Sequence, residues 1–121
     1  MLFDPILVVT RPKKSGIGTH WGVTFPAGRV YDYVPGKNLR VTTFQQFADG
    51  ENVLIVRRIP WHAAPLVRAR LDEIARNPRK YDLLEWNCES FANWLTSGNP
   101  SSTQVVGAVV LLVIVALLAS R

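Results

Sequence analysis

The fold is decided by one stretch of the chain, Thr19-His20-Trp21-Gly22-Val23-Thr24-Phe25-Pro26-Ala27-Gly28-Arg29-Val30-Tyr31-Asp32-Tyr33-Val34. Over residues 19–25 the side chains alternate between two faces, as in a strand whose aromatic face packs in a core. Pro-Ala-Gly at 26–28 marks a tight turn, and residues 29–34 have the pattern of a second short strand. The stretch therefore predicts a β-hairpin with a three-residue loop.

Pairing Phe25 with Arg29 across this loop sets the register of the hairpin. Asp32 then lies opposite Gly22 and diagonal to His20, on the same face of the sheet. Diagonal neighbours lie roughly 7–8 Å apart at the backbone, which is within reach of a longer side chain. Gly22 carries no side chain to fill the space between them. The register therefore predicts a hydrogen bond between His20 and Asp32.

Outside the hairpin, the pattern of apolar and polar residues before residue 80 predicts three more strands and a helix. Residues 1–10 are typical of a first strand rather than a signal peptide, because no basic segment precedes the apolar run. Two further strands are predicted at 38–44 and 52–59. After Pro60, apolar residues at helical spacing predict an amphipathic helix that ends near Asn77. The predicted fold class is α+β, with a small antiparallel sheet packed against helices.

Cys88 is the only cysteine in the chain and lies where a helix over 86–96 begins. Asn87 is a good N-cap residue, so Cys88 falls in the first turn, where free N–H groups and the helix dipole favour a thiolate. A lone cysteine is commonly just a small buried hydrophobe, and this alternative stays open. A nearby imidazole and an orienting carboxylate would activate the thiol. The candidate catalytic residues are therefore Cys88, His20 and Asp32.

The C-terminal part differs sharply from the rest in composition. Residues 97–104 are polar and predict a flexible linker after a domain that occupies residues 1–96. Residues 105–119 contain no polar side chain, and a small domain could hardly cover a helix that is apolar on every side. The expectation is a transmembrane tail anchor over 105–120, with the domain on the cytoplasmic side. The alternative is a buried C-terminal helix.

Charge and composition narrow the classes of partner. The net charge of +5 favours anionic surfaces, either phospholipid or nucleic acid. Nucleic-acid binding is not expected, because the basic residues are dispersed and no aromatic-basic motif of the RNA-binding type occurs. One cysteine and two distant histidines do not make a metal cluster unless carboxylates contribute, so we expect a mechanism without cofactor or metal. The second histidine, His62, lacks a paired carboxylate, and a structural or surface role is favoured for it.

Several motifs together resemble the lecithin:retinol acyltransferase family: the strand Thr19-His20-Trp21-Gly22-Val23, a polar residue twelve positions after its histidine, a hydrophobic C-terminus, and Asn87-Cys88-Glu89-Ser90-Phe91. That family includes the small phospholipase and acyltransferase enzymes related to H-Ras-like suppressors. It is a circularly permuted branch of the papain-like thiol hydrolases. The resemblance implies that Cys88 attacks the carbonyl of a phospholipid ester and that His20 takes and returns the proton. A thioester then passes its acyl group to water or an amine.

The sequence departs from the family's pattern at two positions. Asp32 stands where the family has a second histidine, and a carboxylate can orient the imidazole in the same way. Ser90 replaces a histidine that usually follows the glutamate of the cysteine motif. Glu89 fits that motif and equally fits an ordinary helix-dipole residue. The N–H of Cys88 is the natural first oxyanion donor, and the sequence does not identify the second.

The leading hypothesis from the sequence is a membrane-anchored thiol acyltransferase or phospholipase, with a phospholipid membrane and an acyl lipid as partners. A thiol peptidase or amidase on the same fold is the close competitor. A third hypothesis, from another class, is a catalytically inactive tail-anchored module that binds lipid or protein through its basic surface. The coincidence of three candidate catalytic positions argues against the inactive module.

Overall fold

A computed structural model of the chain describes residues 5–15 and 17–120. The first four residues of the predicted first strand, and of the predicted domain, lie outside the described residues. The observed first strand begins at Ile6 and runs to Pro12.

Within the described residues, five strands form one antiparallel sheet in the order β4-β3-β2-β1-β5. The strands are β1 Ile6–Pro12, β2 Thr19–Phe25, β3 Arg29–Val34, β4 Asn38–Thr43 and β5 Leu54–Ile59. The register predicted for the hairpin is confirmed, because Phe25 pairs with Arg29 and Gly22 pairs with Asp32. The β2–β3 ladder ends at the Gly22 pair, although β2 begins three residues earlier and β3 continues to Val34. An opening at this end of the two strands holds the candidate site.

Helices connect and cover the sheet: α1 Phe44–Ala48, α2 Ala64–Arg76, α3 Cys88–Ser97 and α4 Thr103–Ala119. The short helix α1 was not predicted from the sequence. The strand predicted at 38–44 included Phe44, whereas β4 ends at Thr43 and Phe44 begins α1. Its start has a capping box, in which Thr43 and Gln46 each accept a hydrogen bond from the other's backbone N–H. α3 begins in the same way, with Asn87 and Ser90 as the reciprocal pair. This cap fixes Cys88 as the first residue of α3.

The sheet is covered on both faces. On one face, α2 and α3 pack over a core that contains Val23, Phe25, Tyr33, Phe91 and Leu95. On the other face, Phe47 from α1 packs with Val9 and Val30. A Cβ atom on Gly22 would lie 2.6 Å from the Phe47 ring, so the space beside Gly22 is filled by an aromatic ring rather than left open.

The observed C-terminal helix is shorter than the predicted transmembrane anchor requires. α4 has 17 residues, which at about 1.5 Å per residue gives roughly 25 Å, against a hydrocarbon core of about 30 Å. No helix in residues 5–15 and 17–120 combines the length and apolar character needed to cross a bilayer. The predicted transmembrane helix over 105–120 is therefore wrong, as is the localisation based on it, a single-pass membrane protein with its domain in the cytoplasm. Large apolar side chains along α4 are about half exposed or more.

Candidate active site

Cys88 lies at the N-terminus of α3 and is almost completely buried. Its thiol donates to the carbonyl oxygen of Thr19 at 4.0 Å, and the backbone N–H of Trp21 helps to lower the pKa of the thiol. These contacts bring the first turn of α3 against the start of β2. The side chain of His20 interacts with the thiol closely enough to lower its pKa. The fold thus joins two of the candidate residues, which are separated by more than half of the chain.

His20 connects the thiol to Asp32. Its Nε2 atom lies 2.7 Å from Oδ2 of Asp32, as the hairpin register predicted. Because Nε2 faces the carboxylate, Nδ1 is the ring nitrogen left for Cys88. The imidazole also stacks on Phe47 at 5.4 Å between ring centroids. A thiol, an imidazole and a carboxylate therefore lie side by side in that order, and a hydrogen bond joins the imidazole to the carboxylate.

The electrostatics of the pair favour a thiolate beside an imidazolium. Burial opposes charge on His20, but hydrogen bonds with Asp32 and Cys88 outweigh it, so the pKa of His20 is raised. Burial also opposes charge on Cys88, yet the hydrogen bond and positive charge of His20 lower the pKa of the thiol, with help from the N–H of Trp21 and from Lys13. The nucleophilic form of the cysteine is therefore stabilised.

Asp32 has a second partner that the sequence analysis missed. Arg40 donates from Nε to Oδ1 of Asp32 at 2.9 Å and from Nη2 to Oδ2 at 2.5 Å, a bidentate pair. Burial favours a neutral carboxyl, but the hydrogen bonds from His20 and Arg40 hold the pKa of Asp32 below its usual value. Arg40 lies directly opposite Asp32 on β4. Extending the predicted register to the next strand could have found it.

Cys88 lines two cavities of different character. One is a cleft of about 310 Å³ that also contains His20 and four basic side chains, Arg11, Lys13, Lys14 and Arg40. The other is about 140 Å³ and has largely apolar walls, formed by Leu83, Leu84, Val105 and Ala108 among others. The thiol therefore lies between a cationic cleft and an apolar cavity, part of whose wall comes from α4.

Glu89, the neighbour of Cys88, holds the start of α4. Its buried carboxylate accepts hydrogen bonds from the Ser102 hydroxyl at 2.9 Å, the Thr103 hydroxyl at 2.7 Å and the Gln104 N–H at 3.1 Å. Burial favours the neutral acid, but these bonds lower the pKa of Glu89. The carboxylate thus caps a second helix in addition to standing in the first turn of its own. The polar segment predicted as the end of the linker packs here.

We expect Glu89→Gln to lower the free energy of unfolding by about 1–3 kcal/mol, since a buried charged acceptor is exchanged for a neutral one. Because the pKa of Glu89 is lowered on folding, its contribution is complete above the ordinary glutamate pKa of about 4.3 and is lost as pH falls through the lowered value. Thermal unfolding between pH 3 and 7 measures both effects. Glu85→Gln, at an exposed position just before α3, is the matched control. An equal loss in both variants would contradict a role for this carboxylate in holding α4.

The other predicted features lie apart from the site. His62 is exposed and stands in a short 3₁₀ turn beside Trp61. Among the residues that the structure describes, no three His, Cys, Asp or Glu side chains are grouped so as to hold a metal ion. Comparison of the chain with protein-family models, with curated proteins and with solved structures gives no match.

Proposed function

We propose that this chain is a cysteine-dependent acyltransferase or acyl hydrolase that acts on the acyl esters of phospholipids through a thioester on Cys88. The observation that carries the proposal is the hydrogen bond between His20 and Asp32 beside the buried Cys88 thiol, whose pKa His20 lowers. A buried carboxylate that orients an imidazole, beside a thiol at a helix N-terminus, is the arrangement that thiol acyl transfer needs.

In the proposed reaction, the Cys88 thiolate attacks the ester carbonyl and the tetrahedral intermediate collapses to a thioester. The His20 imidazolium gives its proton to the leaving alcohol and then, as a neutral base, takes one from the incoming water or amine. Asp32 stabilises the imidazolium and keeps Nδ1 directed at the thiol, while Arg40 fixes the carboxylate. Asp32 already contacts both His20 and Arg40.

The two cavities support an amphiphilic substrate. Four basic side chains surround the cleft on one side of the thiol and suit a phosphate group. The apolar cavity on the other side suits part of an acyl chain. An ester carbonyl between a phosphate and a hydrocarbon chain would then lie at Cys88. A peptide substrate has no comparable reason to need both surfaces.

The order of the residues along the chain supports kinship with the lecithin:retinol acyltransferase family, which we propose as well. The histidine lies on β2, the carboxylate on β3, and the cysteine only afterwards on α3. This order agrees with a circularly permuted papain-like hydrolase, which is what the resemblance of the sequence motifs implies. Asp32 in place of a second histidine retains the orienting function through its contact with Nε2 of His20.

The test is direct capture of the thioester. The full chain in detergent is mixed with a short-chain phosphatidylcholine, quenched in acid and analysed by mass spectrometry. We expect one acyl group on Cys88, removed by hydroxylamine, and no such adduct in His20→Ala, with His62→Ala as the matched control. An adduct that forms only with a peptide substrate would contradict phospholipid acyl transfer and support the thiol peptidase hypothesis. If neither substrate gives an adduct, the result would contradict both enzyme hypotheses and support the inactive binding module.

A further inference from the structure

Gln104 lies at the start of α4 and faces the candidate nucleophile from outside the predicted domain. It lines the apolar cavity together with Cys88. Two hydrogen bonds fix it: its backbone N–H donates to Glu89 at 3.1 Å, and its Oε1 accepts from the backbone N–H of Thr19 at 3.4 Å. Glu89 therefore holds the backbone of Gln104, and the start of β2 holds its carboxamide.

Thr19 brings the carboxamide and the thiol together. Its carbonyl oxygen contacts Sγ of Cys88, and its N–H contacts Oε1 of Gln104. Since both atoms belong to one residue of an extended strand, the two side chains meet the same short length of backbone. Within the described part of the chain, the hydrogen bonds of Gln104 use its backbone N–H and Oε1. Among the residues that the structure describes, none therefore accepts a hydrogen bond from Nε2.

We propose that Nε2 of Gln104 is the second donor of the oxyanion hole, paired with the backbone N–H of Cys88. The inference rests on the proposed acyl transfer. The N–H of Cys88 is at the first position of α3, where no partner exists within the helix. A side-chain amide is a common partner for such an N–H in acyl transfer. Lys13 and Tyr81 also line both cavities, but neither shows the two fixed contacts of Gln104.

The thiolate pair of Cys88 forms the C–S bond while the π pair of the ester carbonyl moves onto oxygen, and the two donors bind that negative oxygen. When the carbonyl forms again, the C–O bond to the alcohol breaks and the alcohol oxygen takes the proton of the His20 imidazolium. Gln104 changes no bond of its own. It is a catalytic residue in this proposal because it touches the reacting oxygen.

The experiment compares two reactions of the same sulfur. Acylation by a short-chain phosphatidylcholine develops an oxyanion, whereas alkylation by iodoacetamide is a displacement that develops none. We expect Gln104→Ala to slow acylation by about 10²- to 10³-fold and to leave alkylation within about twofold of the wild type. Gln104→Glu keeps the acceptor for Thr19 but places a negative charge beside the oxyanion, and it should be at least as slow. Gln45→Ala, on the exposed surface of α1, is the matched control.

The outcomes separate this inference from the function on which it rests. If the wild-type chain forms no thioester, the proposed function fails first. If the wild type is acylated and both Gln104 variants are acylated within about threefold of its rate, only the oxyanion assignment is overturned. An equal fall in acylation and alkylation also overturns it, because Gln104 would then act on the thiol and not on the oxyanion. Thermal unfolding identifies variants that fail to fold, and the Glu variant keeps the contact with Thr19.

Discussion

Cys88→Ala is expected to abolish acyl transfer while the fold persists. Removal of the nucleophile of such a site typically lowers turnover by roughly 10⁴-fold or more, since the remaining groups cannot form the covalent intermediate. The thiol is buried but small, and alanine is a strong helix former at the start of α3. We therefore expect little change in the midpoint of thermal unfolding. The rate of acyl release from a short-chain phosphatidylcholine and a thermal unfolding curve measure the two effects.

Two companion variants make this result specific to the sulfur. Cys88→Ser keeps the shape of the side chain but replaces the thiol by a hydroxyl that is far harder to ionise, and it should be almost as inactive as alanine. Ser97→Ala, at the exposed opposite end of the same helix, should retain full activity. A Cys88→Ala protein that keeps a tenth of the wild-type rate or more would refute covalent catalysis by this residue.

Asp32→Asn has the second largest expected effect, a fall in turnover of roughly 10³-fold. Asparagine has nearly the same shape, but its amide carries no charge to stabilise the imidazolium and can present an N–H to Nε2, which favours the wrong tautomer. Arg40 would also lose its charged partner. The measurement is turnover of the same phospholipid substrate. Asp72→Asn, the same change at an exposed position on α2, should leave turnover unchanged.

The pH dependence of Cys88 alkylation tests the role of Asp32 independently of turnover. In the wild type the pKa of the thiol is lowered by His20, so alkylation by iodoacetamide should reach half its maximum below the usual cysteine value of about 8.5. Loss of the carboxylate lowers the pKa of His20, and a neutral imidazole no longer stabilises the thiolate. The midpoint for Asp32→Asn should therefore rise. An unchanged midpoint would show that Asp32 does not control the charge of His20.

The hairpin and the hydrogen bond between His20 and Asp32 could be predicted because both depend on the local sequence pattern. A three-residue loop fixes the register, the register places Asp32 beside His20, and Asn87 fixes the helix start at Cys88. Arg40 lies one strand further on, and its contact required the register of β4, which the sequence analysis did not assign. The contact between Cys88 and His20 spans most of the domain, and only the motif resemblance pointed to it. The catalytic roles of the three residues stay predictions.

The segment after α3 could not be predicted from composition. Ser102, Thr103 and Gln104 have the polarity of a linker, yet their hydrogen-bonding groups bind one buried carboxylate. The predicted linker ran to residue 104, whereas α4 begins at Thr103 with Ser102 as its N-cap. α1 was missed for a related reason: the capping box at Thr43 interrupts a strand pattern that otherwise continues into Phe44. In both places a specific side-chain contact outweighed average composition.

Phe47 has a consequence for the solvent around the imidazole. Its ring covers Gly22 closely and stacks on His20, so one face of the imidazole is shielded by hydrocarbon instead of water. A hydrogen bond in such dry surroundings is electrostatically stronger than the same bond in bulk solvent. The five-residue helix that carries Phe47 therefore helps to set the local polarity around the hydrogen bond between His20 and Asp32.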